Sequence, residues 1–129
     1  MGTLTWGAES SSPAMRIWAE CLTKHGAGPP DPSAEARRAR VDTPVKMEEF
    51  FRKAGFGSIE SWEDELTASF DAESLIRMRT SIGAFKPRFD GLAPNVQADC
   101  IAEARRRMEG LAREDFVARW WVVCAFART

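Results

Sequence analysis

The segment at residues 115–128 constrains this chain more than any other. Along an extended backbone its apolar side chains fall on both sides, with Phe116, Trp120, Val122, Cys124 and Phe126 on one and Val117, Trp121, Val123 and Ala125 on the other. Branched and aromatic residues at this density predict a strand. A strand that is apolar on both faces belongs in the middle of a sheet, with helices covering both sides. Candidates for the flanking strands are found earlier in the sequence.

Two stretches qualify. Leu4 and Trp6 alternate with Thr3 and Thr5, a β pattern punctuated by Gly7 and the serines at 10–12. Residues 58–70 place Ile59, Trp62, Leu66 and Phe70 with no single clean period, but Thr67 and the helix stop before them favour a strand, bulged near Ser61. Its acidic positions Glu60, Glu63, Asp64 and Glu65 suit a solvated edge.

Between these strands the periodicity becomes helical. Pro13 suits a first turn, and Met15, Trp18, Cys21 (or Ala19) and Leu22 recur at three and four residues, predicting a helix to His25 with a stop at Gly26. Residues 26–32 hold two glycines and three prolines, and 33–40 are charged and weakly patterned, so this part reads as a loop with at most a short helical turn. Thr43 and Pro44 supply an N-cap and a first-turn proline to a helix striped by Met47, Phe50, Phe51 and Ala54 and stopped by Gly55. Asp71 caps a helix with Leu75, Met78 and Ile82 on one face, ending near Gly83, and residues 85–91 read as a loop. Pro94 then opens a helix with Ile101, Ala104, Met108 and Leu111 inward. The order strand, helix, helix, strand, helix, helix, strand is α/β.

At 129 residues the chain suits a single domain spanning 1–129. Its 18 basic and 19 acidic side chains leave a net charge of -1, no global field to recruit nucleic acid or anionic lipid, so small molecules or proteins are the expected partners. The three cysteines, Cys21, Cys100 and Cys124, lie in apolar patterns and suit reduced thiols in a cytoplasmic protein. The longest apolar run, at 120–127, is far below the roughly 18–20 residues that span a bilayer. One histidine and scattered cysteines give no metal-ligand spacing.

Taken in order, Gly2-Thr3-Leu4-Thr5-Trp6-Gly7, then Thr43-Pro44 leading to Phe51-Arg52-Lys53-Ala54-Gly55-Phe56, then the closing strand, resemble the carboxyl-terminal half of class I S-adenosylmethionine (SAM)-dependent methyltransferases of the small-molecule, menaquinone-biosynthesis type. The resemblance implies a partial Rossmann-like methyltransferase fold, with a small mixed sheet in the family's strand order 5-7-6 and flanking helices. It also implies an acceptor-side methyltransferase-like domain that is incomplete alone. No Gly-x-Gly-x-Gly turn after a first strand occurs in these residues, so no cofactor-binding residue carries over, and SAM is expected only if a second chain supplies the missing half. An edge left open beside the first strand predicts a homo-oligomer or a hetero-complex with a SAM-binding chain. The alternatives are a SAM-independent small-molecule binding or scaffold module, and a small cyclase or isomerase built on the fold remnant.

The resemblance also implies that the acceptor pocket is walled by Trp6 and by the segment holding Arg77, Met78, Ile82 and Phe85, which suits an apolar or aromatic acceptor. Core packing is the competing role; it is favoured for Trp18 and Ile82, and for Trp6 the two roles stand level. No catalytic residue is singled out. Cys21 and His25 have the i, i+4 spacing of a nucleophile and its base, but a helix-end histidine ordinarily meets terminal carbonyls. The carboxylates at 60–65 could supply a base, against the simpler role of a wetted edge. Arg105, Arg106 and Arg107 spread around a helix and read as surface, pairing with Glu103 and Glu109.

Overall fold

A computed structural model describes residues 1–129. The elements run β1 (Gly2–Ser10), α1 (Pro13–Lys24), α2 (Pro32–Ala39), α3 (Pro44–Lys53), β2 (Ser58–Ser69), α4 (Ala72–Ser81), α5 (Phe85–Asp90), α6 (Pro94–Met108), a 3-10 turn (Arg113–Phe116) and β3 (Val117–Arg128). They fall into two compact units. One comprises Met1–Ser10, Pro32–Thr67 and Arg119–Thr129 and holds the sheet; the other comprises Ser11–Asp31 and Ala68–Ala118 and is helical.

In the sheet unit the strand order is β1-β3-β2, so the last strand lies in the middle, as its two apolar faces predict. β1 and β3 pair antiparallel, with Leu4 opposite Cys124 and Trp6 opposite Val122. β2 also runs against β3: the Gly57 amide donates to the Arg128 carbonyl at one end, and Glu65 stands 3.8 Å from Arg119 at the other. The sheet is thus antiparallel at both pairings rather than mixed. A register irregularity falls in β1, between Trp6 and Glu9.

One face of this sheet is built as expected. Val123, Ala125 and Ala127 of β3 bury against Met47 and Phe51 of α3, with Val41, Phe56 and Ile59 at the margin. Gly7 lies beneath this packing, where a Cβ would come within 3.2 Å of the carbonyl oxygens of both Asp42 and Trp121. The opposite face departs from the expectation of full cover. Val122 is buried, but Phe126 is 39% exposed and, on β1, Leu4 and Trp6 are 60% and 52% exposed. Strand alternation placed these side chains on one face correctly; which face is covered depends on tertiary packing that alternation does not encode.

α3 begins and ends by local chemistry. The Thr43 hydroxyl accepts from the Lys46 amide at 3.3 Å, and Pro44 occupies the first turn. At its end Gly55 adopts φ +96, the Gly55 amide donates to the Arg52 carbonyl and the Phe56 amide to the Phe51 carbonyl. These are the paired bonds of a Schellman stop. α2 extends the expectation: eight helical residues stand where a loop with a short helical turn was expected. It buries no side chain, so it carries no apolar stripe to read, while Pro32 at its start, Glu35 in its first turn and Arg37 and Arg38 in its last favour the helix locally.

The helical unit packs α6 on α1, with α4 against both and α5 against α1 and α4. Trp18 is fully buried with its ring 5.7 Å from Phe89, and Leu22, Leu75, Cys100, Ala104 and Met108 complete the core. α4 has a reciprocal cap, in which the Asp71 carboxylate accepts from the Ser74 amide and the Ser74 hydroxyl from the Asp71 amide. Residues 85–90, expected as loop, form the short helix α5; with Pro87 inside a six-residue element there is too little length for a period. Ile101 and Leu111 are only half-buried, and Glu103 takes an inward position instead. No helix is long and apolar enough to cross a membrane.

Candidate functional site

The pocket-wall residues expected from the sequence divide between the two units. In the sheet unit, Trp6 projects from β1 on the exposed face, and its indole meets that of Trp120 on β3 with ring centroids 6.3 Å apart and planes inclined by 58°. With Leu4 and Phe126 these rings make an apolar surface, and the Arg128 guanidinium stands 5.1 Å over the Phe126 ring. Trp120 was missed as a candidate because its partner on β1 is more than a hundred residues away. Only the register brings them together.

In the helical unit, Arg77 is exposed on α4, Met78 is half-buried, and Ile82 at the helix end is 63% exposed rather than turned inward. Phe85 opens α5 as the centre of a stack that the sequence did not suggest: the guanidiniums of Arg79 and Arg88 lie 5.0 and 5.9 Å from its ring centre. Arg79 is buried and donates to the Met15 sulfur at 3.4 Å, while Arg88 donates to the Gly28 carbonyl at 2.7 Å and the Thr23 hydroxyl at 3.1 Å. Arg79 thus ties α4 to the start of α1, and Arg88 ties α5 to its end, with Phe85 between the two guanidiniums. Arg77, Met78 and Ile82 take no part in that stack.

The other titratable candidates are occupied by structural work. His25 Nδ1 donates to the Cys21 carbonyl at 2.8 Å, the ordinary capping role, and the Cys21 thiol is buried and pushed up in pKa chiefly by that burial. Cys100 is likewise buried and pushed up to about 11. Neither thiol is an activated nucleophile. Arg105 grips Glu73 with bonds of 2.5 and 2.9 Å, Arg107 pairs with Glu20, and Arg106 stands 3.5 Å from Glu103. Two of the three arginines therefore join helices rather than face a ligand.

Glu103 is the buried carboxylate that sequence reasoning treated only as an arginine partner. Lys24 donates to its Oε1, and His25 Nδ1 lies 3.6 Å from its Oε2; the Lys24 hydrogen bond holds its pKa below the usual carboxylate value. Its spacing of three from Cys100 was the available signal, since both fall on the inward face of α6. The carboxylates of β2 are exposed, with Asp64 accepting from the Trp62 indole at 3.2 Å. No group of three or more His, Cys, Asp or Glu side chains is arranged to hold a metal ion.

Comparison with known proteins brings little from sequence: no family model and no curated protein matches the chain. Among solved structures, a provisionally assigned type II methyltransferase from Anaeromyxobacter dehalogenans superposes on 98% of this chain with a TM-score of 0.51 at 16% identity. The chain spans about half of that protein, 51% of its length. At this identity the likeness is one of fold, and the fold of this chain is methyltransferase-like.

Proposed function

We propose that these residues form the acceptor side of a SAM-dependent small-molecule methyltransferase, with β1, β3 and β2 standing as the fifth, seventh and sixth strands of the family's sheet. The observation that carries this reading is the place of β3, last in sequence, antiparallel to β1 and central in the sheet. The match to half of a methyltransferase-like structure supports it.

The residues present do not fit the cofactor. β1 passes into α1 through Ser11-Ser12-Pro13 without a glycine turn, and the Ser12 hydroxyl is taken by the Met15 amide at 3.3 Å. No step is therefore routed through SAM on this chain, and the cofactor strands would come from polypeptide outside these residues, pairing along the free edge of β1. What this part would supply is positioning: an apolar surface containing Trp6 and Trp120 that orients an apolar or aromatic acceptor and keeps water from it.

Calorimetric titration with S-adenosylhomocysteine tests the division of labour. The 129 residues alone should give no binding heat at micromolar concentration. Tight binding by this chain alone would end the reading. A SAM-independent small-molecule binding module is the second reading; it is favoured by the absorption of His25 and Glu103 into capping and ion pairing.

A further inference from the structure

Two surfaces of the sheet unit lack partners, and they are opposite in charge. The first is α2. An eight-residue helix is marginal in water without tertiary packing, since isolated helices below about 12–15 residues rarely hold. Yet α2 buries no side chain. Arg37 and Arg38 in its last turn and Arg40 just beyond are exposed, and no carboxylate of the chain pairs with them.

The second surface is the outer edge of β2. The order β1-β3-β2 leaves one side of this twelve-residue strand without a neighbour. Glu60, Glu63, Asp64 and Glu65 lie along this edge strand within six residues, all exposed, with no lysine or arginine between Ser58 and Ser69. Glu65 has a distant contact with Arg119 at 3.8 Å, Asp64 accepts from Trp62, and Glu60 and Glu63 have no ion pair. Trp62 remains 45% exposed beside them.

Acidic residues on an edge strand ordinarily keep other strands away. They do so only against neutral or acidic neighbours, and a cationic helix is the neighbour that they favour. We infer that copies of this chain associate through charge, with α2 of one copy laid against the acidic β2 edge of another. The second copy is favoured over another cationic or anionic partner because each surface finds its complement on the same polypeptide. The contact uses neither β1 nor the Trp6 surface, so it stands independently of the methyltransferase reading.

Sedimentation velocity on the whole chain tests it. At about 0.1 M salt the mass should rise above that of the 14.4 kDa monomer with increasing concentration, and it should fall back at about 1 M salt, where the Debye length shrinks to roughly 3 Å. The triple variant Arg37→Glu, Arg38→Glu, Arg40→Glu and the double variant Glu60→Lys, Glu63→Lys should each weaken association at least about tenfold, and mixing the two should restore it. Circular dichroism on each variant checks that these exposed substitutions leave the fold intact. A monomer at low salt, association that survives either reversal, or a mixture that stays dissociated would each overturn the proposal; so would binding of a monomeric protein to an oligonucleotide through the α2 arginines.

Discussion

The ring of Phe56 meets that of Phe51 edge-on, with centroids 5.2 Å apart and planes at 89°. Phe51 lies in the last turn of α3 and Phe56 two residues beyond its cap, so this contact is the apolar partner of the two backbone bonds that end the helix. The Ala54-Gly55-Phe56 run has a local physical cause: the glycine turns the chain back, and the phenylalanine returns to its own helix. Replacing Gly55, at φ +96, by alanine should cost about 1–2 kcal/mol through the left-handed backbone alone, since a Cβ there meets no neighbour. Urea unfolding measures it, and an unchanged midpoint would mean that the stop is not strained by a side chain.

Gly7 makes a contrasting case. Its Cβ would press on two backbone oxygens and on the Val123 side chain at 3.3 Å, none at the far end of a flexible side chain. Gly7→Ala should lose about 1–3 kcal/mol by overpacking. Its backbone is not strained, so the loss should come with a displaced sheet, visible as amide shift changes at Asp42 and Trp121. Shifts confined to Gly7 itself would refute this cause.

Phe50 and Phe51 are adjacent in sequence and opposite in consequence. Phe51 is buried against β3 whereas Phe50 is 52% exposed. Phe51→Ala should cost about 3–5 kcal/mol. Phe50→Ala should stay within about 0.5 kcal/mol. Equal losses in chemical denaturation would show that α3 presents a different face to the sheet.

Acid should loosen the helical unit. Asp71 is held below its ordinary value by the Ser74 amide, Glu73 by Arg105 and Glu103 by Lys24. A carboxyl with a depressed folded-state pKa contributes stability that is fully present above its unfolded value and is lost as pH falls through the folded one. The ordinary values here are 3.8 for Asp71 and 4.5 for the two glutamates. The thermal midpoint should therefore hold steady down to about pH 5 and decline below it, and Glu73→Gln should flatten the decline. A midpoint indifferent to pH in that range would contradict these pairings.

Thiol reactivity should rank by burial. Cys124 is half-buried, whereas Cys21 and Cys100 are fully covered and raised in pKa. Iodoacetamide on the native protein should label Cys124 first, and mass spectrometry of timed samples reads the order. Early labelling of Cys100 would reveal opening between α1 and α6.

What could be read from the sequence follows from how local its cause is. Thr43, Pro44, Gly55, Asp71 and Pro94 act within a few residues, and the helix starts and stops that they predict are where the structure has them. β3 announced its central place through apolar residues on both faces. Other features depend on distant partners and left no such mark. The Trp6–Trp120 pair rests on a register set across the chain, Glu103 on a lysine 79 residues earlier, and the exposure of Ile82 on the arrangement around α4. The length of α2 left no mark, because a helix that buries nothing has no stripe.

The central position of β3 also sets an order of events during synthesis. β1 is made more than a hundred residues before the strand that joins it to β2. At about 5–20 residues per second, these two edges spend several seconds or more without the neighbour that their hydrogen bonds require. Through that interval the groups of β1 and β2 that bond to β3 lack that partner. The sheet unit is thus most in need of a chaperone just before β3 clears the ribosome.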